Sequence, residues 1–307
     1  RGRQDIFANR WQNKQERSGY SVACHNEWQK NKCFKPKVKC MECTNQAFKI
    51  LDQQAMYNHL AGKQTLGLYP LLQDDTCWLL AADFDKSDWQ EAVLAFRKAC
   101  NDLSVPCSVE RSRSGNGAHI WVFFEEPITA KEARKLGFTL LDKAMESHAG
   151  LSFESYDRLF PNQDILPIGG FGNLIALPLQ HSPRQKGNSV FIDENFQVYP
   201  DQWAYLSSVK KLSAQQLEIV ISNNKKSVNN NIDAKPWELN FSKADEVISG
   251  CPDKLNLVLA NRIYIDINVL PQAILAKLKR IASFSNPVFF KTQALRFSTN
   301  GIPRFIC

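Results

Sequence analysis

Hydrophobic and polar positions divide the chain into segments of distinct period. From Phe48 to Leu60 apolar residues recur at helical spacing, and a turn through Gly62 and Gly67 leads into a strand near Leu68–Leu72. TCWLLAADFD (76–85) is a continuous apolar run that closes on two acids, as a buried strand does. SDWQEAVLAFRKACNDL (87–103) returns to the helical period with Ser87 as N-cap. PCSVERS predicts a second strand and HIWVFFEE (119–126) a third. TAKEARKLGFTLLDKAMESHAG (129–150) predicts an amphipathic helix ending at Gly150. Strand, helix, strand, strand, helix is the order of an α/β sandwich.

The flanking segments lack this regularity. Residues 1–45 are polar and basic, with few strand or helix signals. Between Leu151 and Pro200 the chain is rich in Gly, Pro and Asn, with short strands expected at NLIALPL and SVFID. NNKKSVNNN (223–231) is a polar low-complexity tract of the kind that links domains. Beyond it lie a strand-like RIYIDINV (262–269), a helix from about Pro271 to Ala282, and an aromatic, basic tail. The organisation expected is an N-terminal segment 1–47, a core 48–222, a linker 223–235 and a C-terminal α/β segment 236–307.

At 307 residues and 44% hydrophobic, the chain is long enough for a substantial core. Its net charge of +7 favours an anionic partner only weakly. No run approaches the roughly 18 apolar residues that span a bilayer, and the first twenty residues have no apolar signal core. A cytoplasmic protein is expected. The chain opens on arginine rather than methionine, which reads as part of something larger.

Nine cysteines change the picture of the polar N-terminal segment. Cys24, Cys33, Cys40 and Cys43 are spaced C-x8-C-x6-C-x2-C. A C-x2-C pair supplies two thiolates to one tetrahedral ion, and two more cysteines would close a structural zinc site. With little apolar material of its own, the segment would draw folding energy from the metal. His25 beside Cys24 is an alternative ligand.

Asp83 and Asp85 stand two apart on a strand, so their side chains share a face while Phe84 points the other way. Two carboxylates side by side repel unless a cation sits between them, and hard oxygen donors suit Mg²⁺ or Mn²⁺. ERSRSGNGAHIWVFF then places Ser112, Arg113, Ser114 and a glycine-bearing turn, Gly117 included, directly before His119. Glycines let backbone approach a phosphate closely, and serine, arginine and histidine donors complement its oxygens. A two-metal site needs a further acid. Asp157 comes first, with Asp164, Glu154 and Asp193 as alternatives.

These stretches together resemble a known family. An apolar strand ending D-x-D, a Ser/Gly-rich turn closing on a histidine before an apolar strand, and a later acid resemble the archaeo-eukaryotic primases. The likeness is nearer to the primase-polymerase domain of helicase-fused bacterial proteins of the TOTE conflict systems. It is carried by GYSVACHNEW with the later cysteines, HLAGKQTLGLYPLL, WLLAADFD, SRSGNGAHIWVFF, SYDRLFPNQD and GGFGNLIALPLQ. NPVFFKTQALRFSTNGIPRFI resembles the stretch leading into the helicase. The resemblance implies an α+β fold, with an α/β module, an RRM-like module and the active site between them. It implies DNA primase-polymerase activity by two metals on a single-stranded or primed DNA template, using dNTPs or NTPs. Asp83, Asp85 and Asp157 would bind Mg²⁺ or Mn²⁺, and His119 would hold the incoming nucleotide. A metal-dependent nuclease and a non-catalytic nucleic-acid-binding module are the rival readings.

Overall fold

The chain is described by a computed structural model that covers residues 2–85, 88–147 and 156–224, together with four short strands beyond; Tyr156 and Asp157 are described by their backbone alone. Ser87, Gly150, Glu154, most of the expected linker and the helix expected at 271–282 lie outside the described residues. The chain divides into two compact units, Arg1–Asn229 and Asn230–Cys307.

The first unit opens with strands where few were expected. β1 (Ala8–Gln12) and β2 (Ser18–Val22) form an antiparallel hairpin. Ile6, Phe7, Ala8, Val22 and Ala23 are all buried, which explains why a segment polar on average still folds. Its few apolar residues lie at the inner ends of the two strands, and sheet pairing satisfies the backbone. α1 (Gln53–Leu60) starts five residues later than its periodicity suggested, because the Asp52 carboxylate caps it by accepting from the Ala55 N–H at 2.7 Å. Phe48, read as helical, instead bridges to Cys24.

β3 (Leu66–Leu68) follows, and then β4 (Thr76–Asp85), which spans the whole apolar run. α2 (Trp89–Asp102), β5 (Ser108–Arg111), β6 (Gly117–Thr129) and α3 (Ala130–Ser147) reproduce the expected order. Thr129 starts α3 by a reciprocal cap: its hydroxyl donates to Glu132 at 2.6 Å and accepts from the Glu132 N–H at 3.3 Å. The rest of the unit is β7 (Tyr156–Phe160), β8 (Ile175–Ala176), α4 (His181–Arg184), β9 (Val190–Ile192), α5 (Gln202–Ser208) and α6 (Ala214–Asn224).

Two antiparallel sheets result. One has the order β2-β1-β3-β8 and the other β7-β4-β6-β5-β9. On one face of the larger sheet Leu79, Ala81, Trp121, Phe160 and Phe191 pack with Leu68 and Ile175 of the smaller sheet, so an apolar layer lies between them. The opposite face carries Leu80, Ala82 and Phe84 toward the helices, with the Phe84 ring edge-on to Phe96 of α2 at 5.5 Å. β4 is therefore buried on both sides, and that is why it reads as an unbroken apolar run rather than an alternating one.

Within the second unit the described residues form two antiparallel pairs, β10 (Leu257–Leu259) with β11 (Ile263–Ile265), and β12 (Phe284–Ser285) with β13 (Phe305–Ile306).

Candidate functional site

The site forms where β4 runs out of apolar residues. Leu79, Ala81, Asp83 and Asp85 share the face that looks toward the smaller sheet, so the two acids continue the inter-sheet layer at its open end. Asp83 is partly buried and Asp85 exposed. β6 runs antiparallel beside β4 with Asp83 opposite His119 and Asp85 opposite Gly117. The His119 Nε2 lies 3.5 Å from the Asp83 Oδ1.

Gly117 is needed for this pairing. A Cβ there would stand 2.6 Å from the Phe84 carbonyl oxygen, so only glycine lets β6 begin so close to β4. The turn between β5 and β6 is held by its own serines. Ser112 and Ser114 hydroxyls lie 3.1 Å apart, the Asn116 N–H donates to Ser114 Oγ, and Gly115 takes a positive φ of 83°. Arg113 donates to the side-chain oxygen of Gln180. Arg111, by contrast, is committed to the carbonyls of Gly187 and Phe196 at 3.0 and 2.6 Å, a structural role.

Glu110 is the residue that sequence reasoning missed. It lies on β5 opposite His119 and is only 2% exposed. Its Oε2 accepts from His119 Nδ1 at 2.9 Å and from Trp121 Nε1 at 3.1 Å, and its Oε1 accepts from Ser189 Oγ at 3.3 Å. A carboxylate has no proton to give, so Nδ1 carries the hydrogen. Burial opposes a charge on the ring, but the Glu110 carboxylate, its hydrogen bond and Asp83 together push His119 up to about 9. The signal was present in PCSVERS, where an acid sits inside a short buried strand, but nothing in one strand says which partner satisfies it.

The smaller sheet contributes two more groups. Arg10 and Tyr20 pair across β1 and β2. Burial raises the Tyr20 phenol, while the nearby Arg113 and Arg10 pull it back. Among the described residues the Tyr20 hydroxyl has no hydrogen-bond partner. Burial and the neighbouring Arg10 lower Arg113 in turn. Two guanidinium groups held near one another favour an anion between them.

Three of the candidate third acids lie among the described residues. Asp157 lies on β7, hydrogen-bonded alongside β4, where Asp83 pairs with Arg158 and Phe84 with Tyr156. Asp157 is therefore the extra residue of a bulge beside Asp83, a device that re-aims a strand near a site. Asp164 pairs with Arg134 at 3.3 Å, and the Asp193 Oδ1 accepts from the N–H groups of Asn195 and Gln197, both at 2.8 Å. Both have local work of their own.

Cys24, Cys33, Cys40 and Cys43 line one pocket with Glu27, Lys35 and Phe48. Burial raises the Cys40 thiol, and Lys35, which hydrogen-bonds it, opposes that rise. Yet among the described residues no three His, Cys, Asp or Glu side chains are gathered as one ion requires. The four sulfurs share a pocket without closing on one point.

Mixed α/β architecture with two antiparallel sheets is consistent with a domain of the archaeo-eukaryotic primase class. Residues 1–220 match the family model described as "TOTE conflict system, Archaeo-Eukaryotic Primase domain", and the chain belongs to that family. A comparison with curated proteins gives no match. At the family level the activity is primase-like nucleotidyl transfer, with nucleotide and nucleic acid as ligand classes and divalent metals as the usual cofactors. Among the described residues no helix is long and apolar enough to cross a membrane.

Proposed function

We propose that this domain is a DNA primase-polymerase that joins nucleotides on a DNA template by two-metal chemistry. The observation that carries the reading is the juxtaposition of Asp83 with His119 across β4 and β6, beside the β7 bulge that holds Asp157. Asp83 and Asp85 fit a divalent cation: both are hard oxygen donors on one face of a rigid inner strand, at the open end of a buried layer. Asp157, on the strand that pairs with β4, is proposed as the third acid of the ligand set. When bound, Mg²⁺ or Mn²⁺ neutralises the triphosphate and activates the attacking 3′-hydroxyl.

The chain's own residues then divide the remaining work. His119 presents Nε2 beside Asp83 and holds a phosphate oxygen of the incoming dNTP or NTP. Arg113, with Arg10 nearby, adds positive charge, and Ser112, Ser114 and Gly117 shape the turn that borders it. Template phosphates meet the basic surface, and exposed Trp11 and Trp28 offer faces on which bases stack. A helicase domain of the same polypeptide is the proposed partner that would supply single strands. Cys24, Cys33, Cys40 and Cys43 are proposed to hold one structural zinc, supported by their shared pocket; binding would require the sulfurs to draw together.

The test is primer extension on a single-stranded template with labelled dNTPs, titrated with Mg²⁺ or Mn²⁺. Asp83→Asn and Asp85→Asn keep shape but remove the charge that binds the cation, so each should abolish extension while the protein stays folded. Full extension by either variant would overturn the assignment.

A further inference from the structure

We propose that Glu110, Ser189 and Gln180 form one buried positioning assembly that sets the orientation of both His119 and Arg113. It rests on the reading of those two residues as ligands of the incoming triphosphate. The three members come from separate parts of the chain: Glu110 from β5, Gln180 from just before α4, and Ser189 from just before β9. They are 2%, 0% and 1% exposed for Glu110, Ser189 and Gln180, among the few buried polar side chains described. Buried polar groups are costly without partners, and here each is joined to the next.

The contacts pass through Gln180 by two groups, its side chain toward Arg113 and its backbone toward Ser189. Arg113 Nη1 donates to Gln180 Oε1. The Gln180 backbone N–H donates to Ser189 Oγ at 3.3 Å, and that hydroxyl donates to Glu110 Oε1 at 3.3 Å. Glu110 Oε2 receives the His119 Nδ1–H at 2.9 Å. Ser189 is itself pinned in a left-handed conformation (φ 55°), with its N–H given to the Arg111 carbonyl at 2.8 Å and its carbonyl receiving the Leu179 N–H at 2.6 Å.

A chain of this kind has a definite effect at each end. Occupying Nδ1 leaves Nε2 as the ring atom delivered toward Asp83. Binding one guanidinium N–H to Gln180 fixes the plane of Arg113 and with it the direction of its other donors. An apolar cluster would stabilise the core at least as well. The polar one gains by holding two donors at a set separation, which lowers the ordering cost of gripping a polyphosphate. Glu110, Ser189 and Gln180 touch no substrate in this scheme; they act through His119 and Arg113.

The experiment is a pair of double-mutant cycles read by calorimetric binding of dATP with Mg²⁺. Glu110→Gln should weaken dATP binding roughly tenfold, the scale of one charge-assisted hydrogen bond, and should add nothing further in a His119→Ala background. Gln180→Met should behave likewise with Arg113→Ala, and serves as the independent arm where Glu110→Gln does not fold. The ¹⁵N shifts of the His119 ring should change in Glu110→Gln and stay as they are in Gln180→Met. Equal losses in both backgrounds, or no loss in the single variants, overturns the assembly while leaving the nucleotide site intact. Unaltered dATP affinity in His119→Ala and Arg113→Ala instead removes the reading beneath it.

Discussion

Asp83 and Asp85 crowd two anions onto one strand face, and the fold answers with the His119 ring, held charged by Glu110 and Asp83. That pairing alters the expected stability of the site variants. Asparagine at position 83 relieves repulsion from Asp85 but loses attraction to His119, so Asp83→Asn should be close to neutral in stability rather than stabilising. His59 shows the opposite solution. It is 1% exposed, accepts the Leu66 N–H on Nδ1 at 3.1 Å, and donates Nε2–H to the Pro178 carbonyl at 2.8 Å. One nitrogen must stay unprotonated, and burial lowers its pKa below the ordinary 6.5. As pH falls through 6.5 the unfolded chain takes up the proton first, so stability declines by up to about 1.4 kcal/mol per pH unit until the folded ring titrates. Denaturant midpoints between pH 7.5 and 5 should show this slope. His59→Gln, whose amide can accept and donate in the same places, should flatten it.

At the scale of elements, the site depends on inner strands. β4 and β6 each have two hydrogen-bonded neighbours, so the Asp83–His119 register cannot slip without disturbing the whole five-stranded sheet. Register is set at its tightest point by Gly117. A methyl group there meets the Phe84 carbonyl, which is backbone and cannot rotate away. Gly117→Ala should therefore cost on the order of 1–3 kcal/mol and weaken nucleotide binding as well, because the strands part beside His119. Thermal melting and dATP titration of the same variant check both effects. The bulge at Asp157 works the other way, adding a residue to β7 where β4 must leave room.

At the scale of the first unit, the cysteine segment is a loop between β2 and α1 tied to the core at its base. The Cys24–Phe48 bridge and the bonds His25 N–H to Ala47 carbonyl, 2.8 Å, and Lys49 N–H to Ala23 carbonyl, 3.0 Å, close that base. Asp83 and His119 lie on other strands, β4 and β6. Elemental analysis should find about one zinc per chain. Chelation should raise amide exchange across residues 24–46 while dATP affinity holds. A zinc-free protein with the same exchange pattern would leave the four cysteines without a metal role.

Local order determined the part of this protein that could be read from the chain alone. β4, α2, β5, β6 and α3 follow directly from apolar period, although α2 begins after Asp88 rather than at the expected Ser87 cap, and Asp83, Asp85 and His119 stand out because an apolar strand that closes on charge is unusual. β1 and β2 were invisible because their apolar residues are few and gain burial only against Tyr69, Phe171 and Leu174, from distant parts of the chain. Glu110, Gln180 and Ser189 were equally silent, since a buried polar residue is legible only once its partners are known. Asp157 stood first among the candidate third acids on the sequence, but that its strand runs beside Asp83 was decided only by the sheet, because a strand's neighbours are set by long-range pairing and not by the residues on either side of it.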